Sequence, residues 1–314
     1  MGGKPGTKLD SGKKTRIPRQ TEKLNAREIE SGEKIAKQRA ISFNGMTAKE
    51  WAAASKNVWN DVSSPRTDTQ LDHGATFPEK LVARIISIYS REGDLVLDPF
   101  VGTGTTLAAC FNTRRNGTGI ELNKQFFLSA EKITKKERQP APVKLVAIND
   151  DCRNVLHYVD PESVQLVVTS PPYANFIQKS EEDRRKTHKN SIITKENNSR
   201  VKKYSDLPED FGNLQYNEFL SDIKALMEKL FVVTKKGGYN AWIVKDARDT
   251  RRGIPYVPFH SDFARLGEEA GFKYHDLIIW DQNEQRRLVL LGYPSVFYTN
   301  QNCSFIVVLR KPER

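Results

Sequence analysis

Two short segments of the chain combine residue types suited to chemistry as well as to folding. In Asp98-Pro-Phe-Val-Gly-Thr-Gly-Thr-Thr106, Gly102 and Gly104 follow a carboxylate and precede a helix-forming stretch. Glycines there let the backbone turn tightly and come close to a ligand, and the first turn of the helix offers amide groups with no partner inside it. Alone, a Gly-x-Gly turn is equally a plain strand-to-helix connection. Its neighbours add weight. Glu121 closes the next apolar run, where a carboxylate can accept hydrogen bonds from ribose hydroxyls, and Asp151 lies just past the third run, where it can accept from an adenine amino group. A helix N-cap explains Asp151 as well, and Asp150 competes for the role. In Thr169-Ser-Pro-Pro-Tyr173 two prolines fix the backbone, Ser170 supplies a hydroxyl and Tyr173 a flat face, which together suit a rigid slot for a planar polar group.

The elements that must position these residues follow from apolar periodicity. Short buried-type strands are predicted at Asp94–Asp98, Gly117–Glu121, Val143–Ile148, Val164–Thr169, Tyr239–Val244, Leu277–Trp280 and Ser304–Leu309, with helices at Thr47–Trp59, Pro78–Tyr89, Thr105–Asn112, Lys124–Lys135, Tyr216–Val233 and His260–Ala270. The helix at Thr47 opens with a Thr47-x-x-Glu50 capping box. Alternation of this kind predicts a doubly wound, mostly parallel seven-stranded α/β sheet of Rossmann-like type, whose ligands bind beyond the carboxyl ends of its strands. Both chemical segments fall at such ends.

Composition narrows the partners. The 314 residues suffice for one large α/β domain, and a net charge of +11 with a pI near 9.4 favours anionic partners, nucleic acid first. Residues 1–45 are expected to form a flexible basic arm and 46–314 the catalytic domain, with a Lys/Arg-rich insertion at about 174–213 that lacks apolar periodicity. Cys110, Cys152 and Cys303 lie far apart without zinc or disulfide spacing, His188 and His275 lack partners at metal-ligand spacing, and no metal is expected. There is no Gly-x-x-x-x-Gly-Lys-[Ser/Thr] phosphate loop, which argues against an NTPase, and no apolar run reaches the roughly 20 residues of a membrane span.

Taken together, the two segments resemble those of S-adenosylmethionine-dependent DNA amino-methyltransferases of the N4/N6 family. There an Asp-Pro-Phe-x-Gly-x-Gly-Thr turn binds the cofactor and a [Ser/Asp/Asn]-Pro-Pro-Tyr motif holds the target base. His73-Gly-Ala-Thr-Phe-Pro78 is similar to the His-Pro-Ala-x-Phe-Pro element of that family, with Gly74 in place of its first proline. The resemblance covers most of the chain from His73 and implies the class I methyltransferase fold. It further implies that Phe77, Asp98, Pro99, Phe100, Gly102, Gly104 and Thr105 bind S-adenosyl-L-methionine, that Glu121 holds its ribose and Asp151 its adenine. Ser170, Pro171, Pro172 and Tyr173 would then grip an amino group of a base flipped out of double-stranded DNA. A serine before Pro-Pro-Tyr resembles the cytosine 4-amino enzymes more than the adenine 6-amino ones.

Several readings stay open at this level. An RNA or protein methyltransferase would share the cofactor site, and a non-catalytic DNA-binding module would share the basic surface. Ring-carbon cytosine methylation needs a Pro-Cys nucleophile, which none of the three cysteines provides. Lys179, Arg184, Arg185, Lys186, Lys189, Arg200, Lys202 and Lys203 are the expected DNA contacts. Lys245 and Asp246 after one strand can border the base pocket, with structural ion pairing an equal alternative, Trp280 to Asn283 after another can line the same pocket, and Trp51 and Trp59 are read as packing residues. The resemblance also leaves room for a cognate restriction endonuclease and a cytoplasmic, nucleoid-associated setting.

Overall fold

The structure, a computed structural model, describes residues 1–2, 42–62, 77–136, 143–173, 205, 207–249, 253–285 and 296–314. Two compact units divide between Ala48 and Lys49. Of the first only residues 1–2 and 42–48 are described, and the second carries the sheet.

The segment expected to be one helix from Thr47 to Trp59 is two elements. Helix α1 (Ala48–Ala54) stops early, and Val58–Trp59 forms β1, paired in parallel with Ile279–Trp280. Trp59 is buried under the Arg84 guanidinium, 4.2 Å from its ring centroid, whereas Trp51 is 46% exposed and is no packing residue. Burial of one indole outweighed a short, uncapped continuation of the helix.

Helix α2 (Glu79–Tyr89) buries Leu81, Val82, Ile85, Ile86 and Tyr89, the stripe its sequence spacing demands. Then come β2 (Leu95–Asp98), α3 (Thr105–Asn112), β3 (Asn116–Ile120), α4 (Lys124–Lys136), β4 (Leu145–Ile148) and β5 (Val164–Thr169). Helix α5 (Tyr216–Val233), opened by a reciprocal Gln215–Glu218 capping box, leads into the long strand β6 (Thr234–Val244). After it a small antiparallel pair that the sequence reading missed, β7 (Ala247–Asp249) and β8 (Ile254–Val257), precedes α6 (Phe259–Glu269), β9 (Lys273–Asp281) and β10 (Cys303–Arg310).

The main sheet has eight strands among the described residues, in the order β1-β9-β10-β6-β5-β2-β3-β4; β1 is the strand beyond the seven expected. All neighbours run parallel except β10, which is antiparallel to both β6 and β9. Helices α2, α3 and α4 pack together as one layer and α5 with α6 as the other, which gives the doubly wound class I arrangement. Under α5 and α6 the core is aromatic: Trp242, Phe219, Phe259 and Phe263 are fully buried with ring centroids 5.3–6.3 Å apart, each burial stabilising by about 1.5–3 kcal/mol.

The winding reverses between β2 and β5. From β2 the chain proceeds outward through β3 to β4, and from β5 it proceeds the other way to β6. The loops after β2 and β5 therefore diverge to opposite sides and leave a crevice at their carboxyl ends. These loops are the two chemical segments.

Candidate active site

One buried carboxylate ties the two loops together. Asp98, at the end of β2, accepts from the Thr169 hydroxyl at the end of β5 (2.7 Å), from the Thr106 hydroxyl in α3 (2.5 Å) and from the Phe100 amide (3.0 Å). Asp98 has no exposure to solvent, and burial raises its pKa to about 6 against the lowering effect of these three donors. It does not line the cavity beside it. The expectation that Asp98 contacts a cofactor directly is thereby corrected: its oxygens face the protein, and its work is to set the turn and the Thr169-Ser-Pro-Pro-Tyr173 loop at a fixed spacing.

Gly104 calls for the same correction. It N-caps α3 in a left-handed conformation (φ 96°), and a Cβ there would lie 2.7 Å from Ile133 Cδ1 and 3.0 Å from Ala130 Cα. Glycine is needed for the turn and for the close approach of α4, and the residue faces α4 instead of the cavity.

The crevice is a cavity of about 230 Å³. Its wall on the β2–β3 side is made by Phe77, Pro99, Phe100, Gly102, Thr105 and Glu121, all expected there, joined by Asn123 and Phe126. Glu121 leaves the end of β3 and accepts from the amides of Gly102 (2.9 Å) and Asn123 (2.7 Å). Burial nevertheless raises its pKa to about 7. Two backbone bonds hold the carboxylate in position, and its remaining lone pairs stay available to hydroxyl donors.

Asp151 lines the same cavity and is also the N-cap of the turn Cys152–His157, accepting from the Arg153 amide (2.8 Å). Of the two alternatives left by the sequence, the structure shows the N-cap. Asp150 faces Tyr158 and Asn154 and is not on the cavity wall.

A third wall went unread in the sequence. Glu209, Asp210 and Phe211 border the cavity, Phe211 meeting Phe100 edge-on at 5.2 Å. Asp210 caps its own 3-10 turn through the Gly212 amide (2.8 Å), a Pro-Glu-Asp-Phe-Gly signature that could have flagged it. Arg153 fastens this wall: it bonds Asp151 (2.7 Å), Asp222 (2.5 Å) and the Glu209 carbonyl (2.8 Å), and its guanidinium lies 4.2 Å from the Phe211 ring centroid.

On the β5–β6 side the cavity meets Ser170, Pro171, Pro172 and Tyr173, then Ile243 and Lys245 from β6, Trp280 and Gln282 from β9, and Ser304 from β10. Strand register produces this row: Thr169 pairs with Trp242, Phe305 with Val244 and Ser304 with Trp280. Tyr173 is held edge-on to buried Phe259 at 5.5 Å. Asp246, expected beside Lys245 at the pocket, is turned inward instead, bonded to Tyr256 (2.5 Å) and to the ring (2.7 Å) and amide (3.1 Å) of His260.

Lys179, Arg184, Arg185, Lys186, Lys189, Arg200, Lys202 and Lys203 lie outside the described residues, as do His73 to Thr76 and His188. Among the described residues no cluster of His, Cys, Asp and Glu is arranged to hold a metal, and no helix is long and apolar enough to cross a membrane. The Cys110 and Cys152 thiols are buried, which pushes their pKa well above the ordinary value and leaves them unsuited as nucleophiles.

The DNA methylase family of the N6/N4 type matches residues 8–132. The chain is 38% identical over 93 residues to the type II methyltransferase M.BglI of Bacillus subtilis, which covers 29% of this chain and 26% of that protein. It is 46% identical over 59 residues to the type II methyltransferase M.HpaI of Haemophilus parainfluenzae, 19% of each chain. The aligned region thus spans about a quarter or less of these relatives. Among solved structures, a methyltransferase from Pyrococcus furiosus is 13% identical with a TM-score of 0.42, covering 75% of this chain and 83% of that one. A SAM-dependent methyltransferase from Methanosarcina mazei is 14% identical with a TM-score of 0.41, covering 73% and 98%.

Proposed function

We propose that this protein is an S-adenosylmethionine-dependent DNA methyltransferase acting on an exocyclic amino group, and that the group is the 4-amino group of cytosine. The observation that carries the reading is the Asp98 bridge, which joins a glycine turn and a Ser-Pro-Pro-Tyr loop on one crevice at the switch point of the sheet. The similarity to type II DNA methyltransferases supports the same reaction class.

The donor set fits the cofactor. Glu121 and Asp151 offer carboxylates for hydroxyl and amino donors, Glu209 and Asp210 add negative charge suited to a cationic ligand, and Phe77, Phe100, Phe126 and Phe211 supply flat apolar walls. When bound, S-adenosylmethionine supplies a methyl group on a positively charged sulfur. Opposite it, the Ser170 hydroxyl and the Pro171 carbonyl would accept hydrogen bonds from the target amino group, aligning the nitrogen lone pair with the methyl carbon. Tyr173, braced by Phe259, would stack on the flipped base. Held this way, the nitrogen would be in line for direct displacement of the methyl group, and the proton it then sheds would pass to solvent, because the neutral Ser170 hydroxyl and Pro171 carbonyl orient the amino group without acting as bases. Positioning and electrostatics supply the acceleration, with no covalent enzyme intermediate.

The choice of cytosine rests on Ser170 in place of Asp or Asn. The basic segment 174–213 is the proposed DNA-contacting element, adjoining the catalytic loop in sequence. The test is incubation with labelled S-adenosylmethionine and unmethylated genomic DNA, followed by nucleoside mass spectrometry. A 4-methylcytosine product is expected. A 6-methyladenine product would keep the enzyme and overturn the base, and label in RNA or protein alone would overturn the substrate.

A further inference from the structure

Helix α6 begins without a cap of its own. Its N-cap residue, Pro258, has no side chain that can accept a hydrogen bond, yet the first turn leaves amide groups to be satisfied. The acceptor comes from another element. Buried Asp246, two residues past β6, accepts from the His260 amide (3.1 Å), the His260 ring Nδ1 (2.7 Å) and the Tyr256 hydroxyl (2.5 Å). A carboxylate at this end of a helix also suits the helix dipole. With Nδ1 donating to Asp246, Nε2 of the same ring accepts from the Ser261 hydroxyl (3.1 Å), and the ring lies stacked on Phe305 with centroids 4.5 Å apart. Phe305 in turn pairs with Val244, the last residue of β6. The exit of β6, the start of α6 and β10 are therefore fastened at one point.

The residue between Pro258 and His260 carries that fastening to the crevice. Phe259 is fully buried and packs edge-on against Tyr173 (5.5 Å), Tyr216 (5.6 Å) and Phe219 (6.1 Å). Tyr216 and Phe219 belong to α5, and of these three rings Tyr173 is the one that lines the crevice. A close-packed group of rings yields toward open space, so a shift at the start of α6 is taken up at Tyr173 and not in the core. We infer that Asp246 and His260 are positioning residues for Tyr173, setting through Phe259 the face against which a flipped base stacks. The inference rests on the proposed amino-methyltransferase reading for the role of Tyr173, and it adds to that reading two residues that lie off the cavity wall.

Two substitutions separate the hydrogen bond from the ring stack. His260→Asn keeps a donor at the position of Nδ1 and loses the ring, whereas His260→Phe keeps a ring for Phe305 and loses the donor. The full-length chain is labelled with fluorotyrosine, and the fluorine resonance of Tyr173 is identified by its absence in Tyr173→Phe. A shifted or broadened Tyr173 resonance is expected in His260→Phe, and a wild-type one in His260→Asn. With labelled S-adenosylmethionine and unmethylated genomic DNA, kcat should fall about 10-fold in His260→Phe and at most about twofold in His260→Asn, with cofactor affinity by calorimetry unchanged in both. An undisturbed Tyr173 resonance in His260→Phe would overturn the inference, as would the reverse order, in which His260→Asn is disturbed and His260→Phe is not. A loss of cofactor affinity as large as the loss of kcat would overturn it in favour of a general structural role. Should His260→Phe fail to fold, His260→Ala, which lacks both bond and ring, takes its place and is compared with His260→Asn in the same way. Absence of DNA methylation by the wild-type protein would overturn the proposed function, while the resonance still decides whether Asp246 and His260 hold Tyr173.

Discussion

The two ends of the crevice are built from different material. At the end of β3, carboxylates are held by backbone amides and by Arg153, and the walls are phenylalanines from four separate segments. At the ends of β5, β6, β9 and β10, the wall is a row of neighbouring strand residues set by register, with prolines and an edge-braced tyrosine. The first design suits a ligand with many polar groups and positive charge, gripped from several loops. The second suits a flat guest admitted to a slot whose shape cannot adjust. Asp98 belongs to both, because its oxygens bond Thr169 on one side and the Phe100–Thr106 turn on the other.

Replacement of that shared residue should have the largest effect. Asp98→Ala leaves three donors without their buried acceptor and is expected to lower stability by about 3 kcal/mol, with loss of both cofactor binding and methylation. Thermal unfolding and calorimetry check this, and loss of one ligand alone would show that the two ends are independent. Ser170→Ala touches only the slot: methylation should fall about 100-fold while cofactor affinity stays within about twofold. A matching loss of cofactor affinity would break the division.

Glu121 sharpens the contrast through pH. Its pKa is raised to about 7 by burial, so ionisation costs the folded state something that the unfolded chain avoids. The contribution of this carboxyl to stability is full below its ordinary pKa and is lost as pH rises through about 7; Asp98 behaves likewise through about 6. Cofactor affinity should run the opposite way, rising as Glu121 ionises into a stronger acceptor. Unfolding curves between about pH 5.5 and 8.5, with and without cofactor, should therefore diverge with pH, and Glu121→Gln should flatten the binding half of that divergence. Parallel curves would remove Glu121 from the binding site. Arg153→Met is expected to have the smallest effect, a loss of about fivefold in cofactor affinity from a loosened Asp151 and Phe211, with the methylation rate at saturating cofactor unchanged.

Much of this arrangement was legible in the amino-acid sequence because it rests on strong local signals. The stripe of α2, the apolar run of β2 and the paired glycines each declare themselves within ten residues. Strand ends were read short where the chain turns polar before the pairing stops, as at Lys273–Asp276 of β9, or where Gly237-Gly238 suggests a turn inside β6. β1 was lost because two residues give no period, and only the burial of Trp59 makes them a strand. Phe211 and Arg153 escaped for another reason: their roles are defined by each other across more than fifty residues, and no local pattern records that pairing. For Asp98, type and position alone do not reveal which way a carboxylate faces, and the structure turns its oxygens to Thr106, Thr169 and the Phe100 amide.

The place of β10 has a consequence for how the molecule is made. It follows β9 in the chain yet lies between β9 and β6, antiparallel to both. On the ribosome, β9 emerges with no route into the main sheet until β10 has also been synthesised and slotted between. The slot wall carrying Trp280, Gln282 and Ser304 is thus the last part of the crevice to be assembled, after the glycine turn and the Ser-Pro-Pro-Tyr loop can already have met. A nascent chain halted before β10 would hold a nearly finished crevice that opens on the side of Trp280, Gln282 and Ser304.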